Sequence, residues 1–128
     1  MTVKSYLSAA LAVFFVCGLS LVAHAAPKGK TFKGEIMDSQ CAMNGSHAEM
    51  LKKEGMGDKS PDDPMVKAMC TKNCVKMGGK YILYDSTAKK VYQLDDQSKP
   101  EQFAGQNMKV TGSLTKDTIH VTNIEPGS

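Results

Sequence analysis

The sequence predicts a mainly β fold with an α insertion, a small and partly open barrel of five strands, and three observations lead there. Apolar and polar residues alternate from residue 31 to 38, the pattern of a strand with one buried face. From residue 46 the period lengthens to that of helices and stays so until Gly78-Gly79. Beyond those glycines four further short windows carry strand patterns, with a helical turn or two between the second and third of them.

A leader precedes the first strand. Residues Met1 to Ala25 hold a single Lys4, an apolar run from Leu7 to Val22, and Ala23-His24-Ala25 with small residues where a signal peptidase reads. The expectation is a cleaved signal peptide over residues 1–25 and a periplasmic or secreted protein, with Cys17 and His24 leaving in the leader. Val16 is too bulky to precede a lipoprotein cysteine, and the apolar run is short for a membrane span of about 20 residues. Residues 26–128 then form one domain, too short for two cores.

Phe32, Gly34 and Ile36 alternate with Lys33 and Glu35 in the first strand, which Asp38-Ser39 ends. Ser46-His47-Ala48-Glu49 fits a capping box, in which hydroxyl and carboxylate each satisfy a backbone donor of the first turn. Gly55 stops that helix after Met50 and Leu51. A polar linker from Gly57 to Pro61 leads to Asp62-Asp63-Pro64, the start of a second helix running to about Met77. On it Met65, Met69, Cys70, Cys74 and Met77 fall near one face. A two-helix insertion, about residues 40–78, thus separates strands one and two. Tyr81-Ile82-Leu83-Tyr84 and Val91-Tyr92-Gln93-Leu94 are short strands joined by a polar turn, and Ser98 to Gly105 is the small helix. Met108 to Leu114 alternates, Thr115 to Asp117 turns, and Ile119-His120-Val121 opens the last strand. Five strands with a short helix between the third and fourth is the order of the OB-fold, whose first connecting loop often carries the binding site.

The basic side chains are all lysine, and 16 of them face 13 acidic groups for a net charge of +3, from which Lys4 departs with the leader. So small an excess, without arginine, makes no case for nucleic acid. The absence of Trp removes the best stacking platform for single strands. After cleavage no membrane span is expected.

Gly34-x-Ile36-x-Asp38-x-x-Cys41, His47, Cys70-x3-Cys74 and Gly79-Lys80-Tyr81, with the closing stretch from Phe103-Ala104-Gly105 through Val110-Thr111-Gly112 to Thr118-Ile119-His120-Val121, resemble a family of small exported bacterial OB-fold-like proteins. The resemblance covers nearly the whole chain after the leader. It implies the barrel and the Cys and His pattern, and it assigns no reaction.

Cys41, Cys70 and Cys74 remain once the leader is gone, and three thiols cannot all pair. In an oxidising compartment a free thiol is a liability unless bridged or ligated. Cys70 and Cys74 stand one helical turn apart, with Cβ atoms about 5 to 6 Å apart, where a disulfide wants about 3.5 to 4.5 Å. Two thiolates at that spacing converge readily on one metal ion, because each bond adds about 2.3 Å of reach. Cys41 and His47 border the same insertion, so Cys41, His47, Cys70 and Cys74 are the expected ligands of a Cys3His site. A helix N-terminus disfavours imidazolium and leaves His47 the neutral ring that metals require.

Met37, Met43, Met50, Met56, Met65, Met69 and Met77 crowd the insertion and its approach, and Met108 alone lies beyond it. Thioether with thiolate suits copper(I), and thiolate with imidazole suits zinc. Methionines at helical spacing also serve as flexible core filler. The expected function is soft-metal binding, copper or zinc, for metal handling or structural ligation without catalytic turnover. The alternative is a non-enzymatic binding module in which Cys41 forms a disulfide with Cys70 or Cys74 and the methionine-rich insertion takes a protein partner or small ligand.

Other chemistries lack their signatures. Thiol redox catalysis wants Cys-x-x-Cys at a helix N-terminus, covalent haem wants Cys-x-x-Cys-His where Val75 follows Cys74, and no Gly-x-Ser-x-Gly elbow is present. His120 reads as a surface histidine of the last strand, Asp62-Asp63 as a helix start and Asp95-Asp96 as a turn.

Overall fold

Strand β1 (Lys30–Asp38) serves two neighbours at once. Its first part, Lys30 to Glu35, pairs antiparallel with β4 (Asn107–Thr115), and its last part, Glu35 to Asp38, pairs antiparallel with β2 (Tyr81–Asp85). Glu35 therefore lies opposite both Asn107 and Tyr84. Gly34 stands beside this crossover because a Cβ there would strike the Tyr84 carbonyl. β2 pairs antiparallel with β3 (Lys90–Leu94), and β4 with β5 (Thr118–Pro126) along a full ladder interrupted by a bulge at Thr111/Gly112. Two parallel pairs, Gln93 with Thr118 and Leu94 with Ile119, close an uneven mixed ring in the order β1-β2-β3-β5-β4.

The computed structural model describes residues 29–44 and 47–127; the expected leader, with Cys17 and His24, and the expected capping residue Ser46 lie outside them. No helix among the described residues is long and apolar enough to cross a membrane.

Three helices lie between β1 and β2 where the sequence leads one to expect two: α1 (Ser39–Asn44), α2 (Ala48–Lys53) and α3 (Pro64–Lys76). The extra one, α1, follows from Asp38. Its Oδ1 accepts the Gln40 and Cys41 N–H groups, each at 2.9 Å, so the residue that ends the strand also caps a helix. In α2 the capping position is His47, which makes no side-chain cap bond, and Glu49 pairs with Lys52 at 3.0 Å. Asp63 caps α3, Oδ1 accepting from Met65 and Val66 at 2.8 and 3.2 Å, with Pro64 at the first helical position. A short 3-10 helix, Lys99–Phe103, links β3 to β4.

Alternation along the strands splits the apolar residues into two layers. Ile36, Leu83, Met108, Val110 and Ile119 fill the ring with Tyr81, Leu94 and Ala104. On the outer face of β1 and β2, Met37, Ile82 and Tyr84 are covered by Cys41 and Ala42 of α1 and Cys74 of α3. β2 is thus buried on both faces, which explains its unbroken run Tyr81-Ile82-Leu83-Tyr84. A third cluster, Leu51, Val66 and Cys70, holds α2 to α3. The buried face of α3 is Val66, Cys70, Thr71 and Cys74, whereas the expected methionine face is in water: Met65 is 81% exposed and Met77 61%.

Two contacts seat these parts. Gly105, at φ +77°, lies so near α3 that a Cβ would come within 2.6 Å of the Ala68 nitrogen. The Gln97 side chain accepts from the Tyr81 N–H at 2.8 Å and donates to the Tyr81 and Leu94 carbonyls at 2.9 and 3.0 Å, standing in for a missing strand.

Candidate metal centre

Asp38 ends β1, Cys41 sits in α1, and Cys74 reaches across from α3. Their donor atoms lie within 4.8 Å of one another, and all three residues are buried. The local chain dictates the meeting. Because Asp38 Oδ1 caps α1, the backbone turns back over β1 and Cys41 packs with Met37, Ile82 and Cys74. Among the described residues, Asp38 Oδ2 is left enclosed with no N–H or O–H donor, only the Cys41 and Cys74 thiols, which are weak donors, beside it. Leaving a buried acceptor unsatisfied costs about 1–3 kcal/mol, and more for a charged group. A cation would satisfy it.

The flanking thiols are held in the protonated form. Burial first, then hydrogen bonding to Asp38 and its charge, push Cys41 far above the ordinary thiol range. Burial and the Asp38 charge take Cys74 to about 11. Such thiols are inert as nucleophiles at neutral pH. A bound cation inverts this logic, since it displaces the thiol protons and is drawn by the same carboxylate that opposes a bare thiolate.

Cys41 and Cys74 are 4.4 Å apart and unbridged. Two thiolates on one tetrahedral zinc, with bonds of about 2.3 Å, stand about 3.8 Å apart, and a disulfide holds its sulfurs about 2.05 Å apart, so the pair is near enough for either closure.

Of the four ligands expected from the sequence, Cys41 and Cys74 come together and the other two do not join them. His47 Nε2–H donates to Glu35 Oε1 at 2.9 Å, and the other carboxylate oxygen, Oε2, accepts from Lys67 Nζ at 2.8 Å. The histidine is only 2% exposed, with Nδ1 unpartnered. Burial works to raise the Glu35 pKa, but the hydrogen bonds from His47 and Lys67 outweigh it and hold the carboxyl below its ordinary value. This trio ties β1, α3 and the approach to α2 together and lines a cavity of about 410 Å³ with Tyr84 and Asn107. Glu35 has engaged the ring that the sequence assigns to a metal. Cys70 packs with Leu51 and Val66, and burial, then the charges of Asp38 and Glu54, raise its pKa.

Asp38 is the member of the cluster that sequence reasoning misses. The signal is Asp38-x-x-Cys41, a spacing at which one carboxylate oxygen caps a first turn and leaves the other beside the thiol of that turn. Of the methionines, Met37 belongs to the cluster that holds Cys41 and Cys74, and Met50 packs against it. His120 is a surface residue, its Nδ1 3.1 Å from Asp95 Oδ2. No family model matches the chain, and no curated protein or solved structure is significantly similar to it, so the centre is read from its own geometry and chemistry.

Proposed function

We propose that this is an exported metal-binding protein that holds one borderline divalent ion, zinc in preference to copper(I), through Asp38, Cys41 and Cys74. The observation that carries the reading is the enclosed Asp38 Oδ2, with no N–H or O–H donor, beside two buried thiols, all within 4.8 Å. An oxygen donor among the sulfurs favours zinc, which accepts O, N and S ligands, over copper(I), which selects thiolate and thioether. Three protein donors leave the fourth place of a tetrahedron to a water or small ligand. The ion would fasten β1, α1 and α3 at one point, whether for structure or for metal handling. Placement of the site in the first connection of an OB-like barrel belongs to the same reading, supported by the strand order β1-β2-β3-β5-β4 and the 3-10 helix between β3 and β4. Export is supported by the leader pattern around Lys4 and Ala23-His24-Ala25.

The test is metal analysis of protein from the exported fraction, before and after reconstitution with Zn2+. One zinc per chain is expected. Asp38→Asn keeps an oxygen to cap α1 and should weaken zinc binding by about tenfold or more, and Cys41→Ser should do so further. Wild-type protein that takes up no zinc would end the reading.

The 4.4 Å approach of Cys41 to Cys74 also supports a second reading, in which an external oxidant of the exported compartment joins these two and leaves Cys70 free. Intact mass before and after reduction separates the two. A disulfide shows as a loss of two hydrogens per chain, and bound zinc shows none.

A further inference from the structure

The centre uses two of the three described thiols, and Cys70 is left over one helical turn before Cys74. It is not idle in position. A cavity of about 260 Å³ between α2 and α3 is lined by Met50, Glu54, Cys70, Cys74, Lys76 and Met77. Of the three centre residues only Cys74 borders it; Asp38 and Cys41 lie behind. A buried metal site needs a path by which a hydrated ion arrives and sheds water.

We propose that this cavity is the metal's way in, and that Cys70 with Glu54 is a capture site for a divalent borderline cation, from which the ion passes to Cys74 and then to Cys41 and Asp38. The inference rests on the metal reading above and deepens it. Met77, 61% exposed, marks the open side, and Met50 supplies an apolar wall against which the ion loses its shell. Glu54 ends α2 at the surface, and its charge reaches Cys70. A carboxylate and a thiol at the mouth are the same donor types that wait inside. Lys76 on the same wall offsets the Glu54 charge, so the thiol supplies the affinity of the capture step.

The handover is sterically simple. Residues i and i+4 of a helix hold their Cβ atoms about 5 to 6 Å apart, and two metal–sulfur bonds of about 2.3 Å let one ion bridge Cys70 and Cys74 during transfer. Capture releases the Cys70 proton to solvent. Transfer releases two more, from Cys74 and Cys41, and returns one to Cys70, so each ion costs the protein two protons and no electron moves.

Stopped-flow mixing of reduced, metal-free protein with Zn2+, followed by extraction into a strong chelator, tests this. Cys70→Ala should keep one zinc per chain and an equilibrium affinity within about twofold of wild type, while loading slows by about tenfold or more. Because affinity is unchanged, release must slow by the same factor. Glu54→Gln, at an exposed helix end, should slow both by a smaller factor and serves if Cys70→Ala does not fold. A fall in affinity with an unchanged loading rate would make Cys70 a resident ligand and overturn the route, as would loading and release that ignore both substitutions. Wild-type protein that binds no zinc overturns the metal reading itself, a result distinct from either.

Discussion

Glu35 binds one partner with each carboxylate oxygen, His47 at 2.9 Å and Lys67 at 2.8 Å, in a setting only partly open to water. Because its pKa in the folded chain lies below the ordinary 4.5, the stabilisation is fully present above that value and is lost as pH falls through the lower, folded one. Glu35→Gln should cost about 2–3 kcal/mol at pH 7, less than a fully buried pair because Glu35 and Lys67 touch solvent, although His47 does not. The acid loss should also flatten. Urea midpoints between pH 7 and pH 3 check this, and wild-type and variant curves that run parallel would remove Glu35 from the acid response. At this scale the sequence makes the three thiols legible as a group, because thiols few in number have few uses, but the pair it joins by helical spacing, Cys70 and Cys74, is not the pair that meets beside Asp38, which is Cys41 and Cys74. It leaves Asp38 hidden, since an acid at a strand end is ordinary and its second oxygen becomes special only when α3 covers it. His47 misleads for a related reason: its partner, Glu35, is twelve residues away on another element.

Helix α3 shows what an element must satisfy beyond its own period. Val66, Cys70 and Cys74 form its i, i+4, i+8 stripe, whereas Met65 and Met69 stand one residue earlier, about 100° round. Both stripes are apolar in sequence, and only the barrel decides which is buried. Its start is legible because Asp63-Pro64 carries a local mechanism, and α1 is not, because six residues leave too short a window for any period to register. Docking of α3 depends on the backbone of Gly105, so Gly105→Ala should destabilise by about 2 kcal/mol or more through both its positive φ and the collision with Lys67 and Ala68. Gly57→Ala, with nothing within 4 Å of the added carbon, should stay within about 0.5 kcal/mol of wild type. Chemical denaturation of the two variants makes the comparison, and equal losses would show that the Gly105 contact does not hold the helix.

Across the whole molecule, the number of strands and their order along the chain are readable from short windows, alternating in β1 and β4 and unbroken in β2, because each is bounded by its own turn residues. Closure is not readable. The parallel join of β3 to β5 brings Gln93 and Leu94 to Thr118 and Ile119 with no local pattern to announce it, and two backbone bonds, Gln93 N–H to Asp117 O at 2.7 Å and Asp95 N–H to Ile119 O at 3.2 Å, hold it. Amide exchange should be faster at Gln93 and Asp95 than along the β4–β5 ladder by about a hundredfold, since short seams open without global unfolding. Uniform protection in a residue-resolved exchange experiment would contradict that. The seam joins β3 to β5, whereas Asp38, Cys41 and Cys74 are gathered on the β1–β2 face, with the β2–β3 pairing between that face and the seam. Opening of the seam therefore need not open that face, and the residence time of the proposed ion and the lifetime of the closed ring become two separate clocks, each adjustable by substitutions that leave the other unchanged.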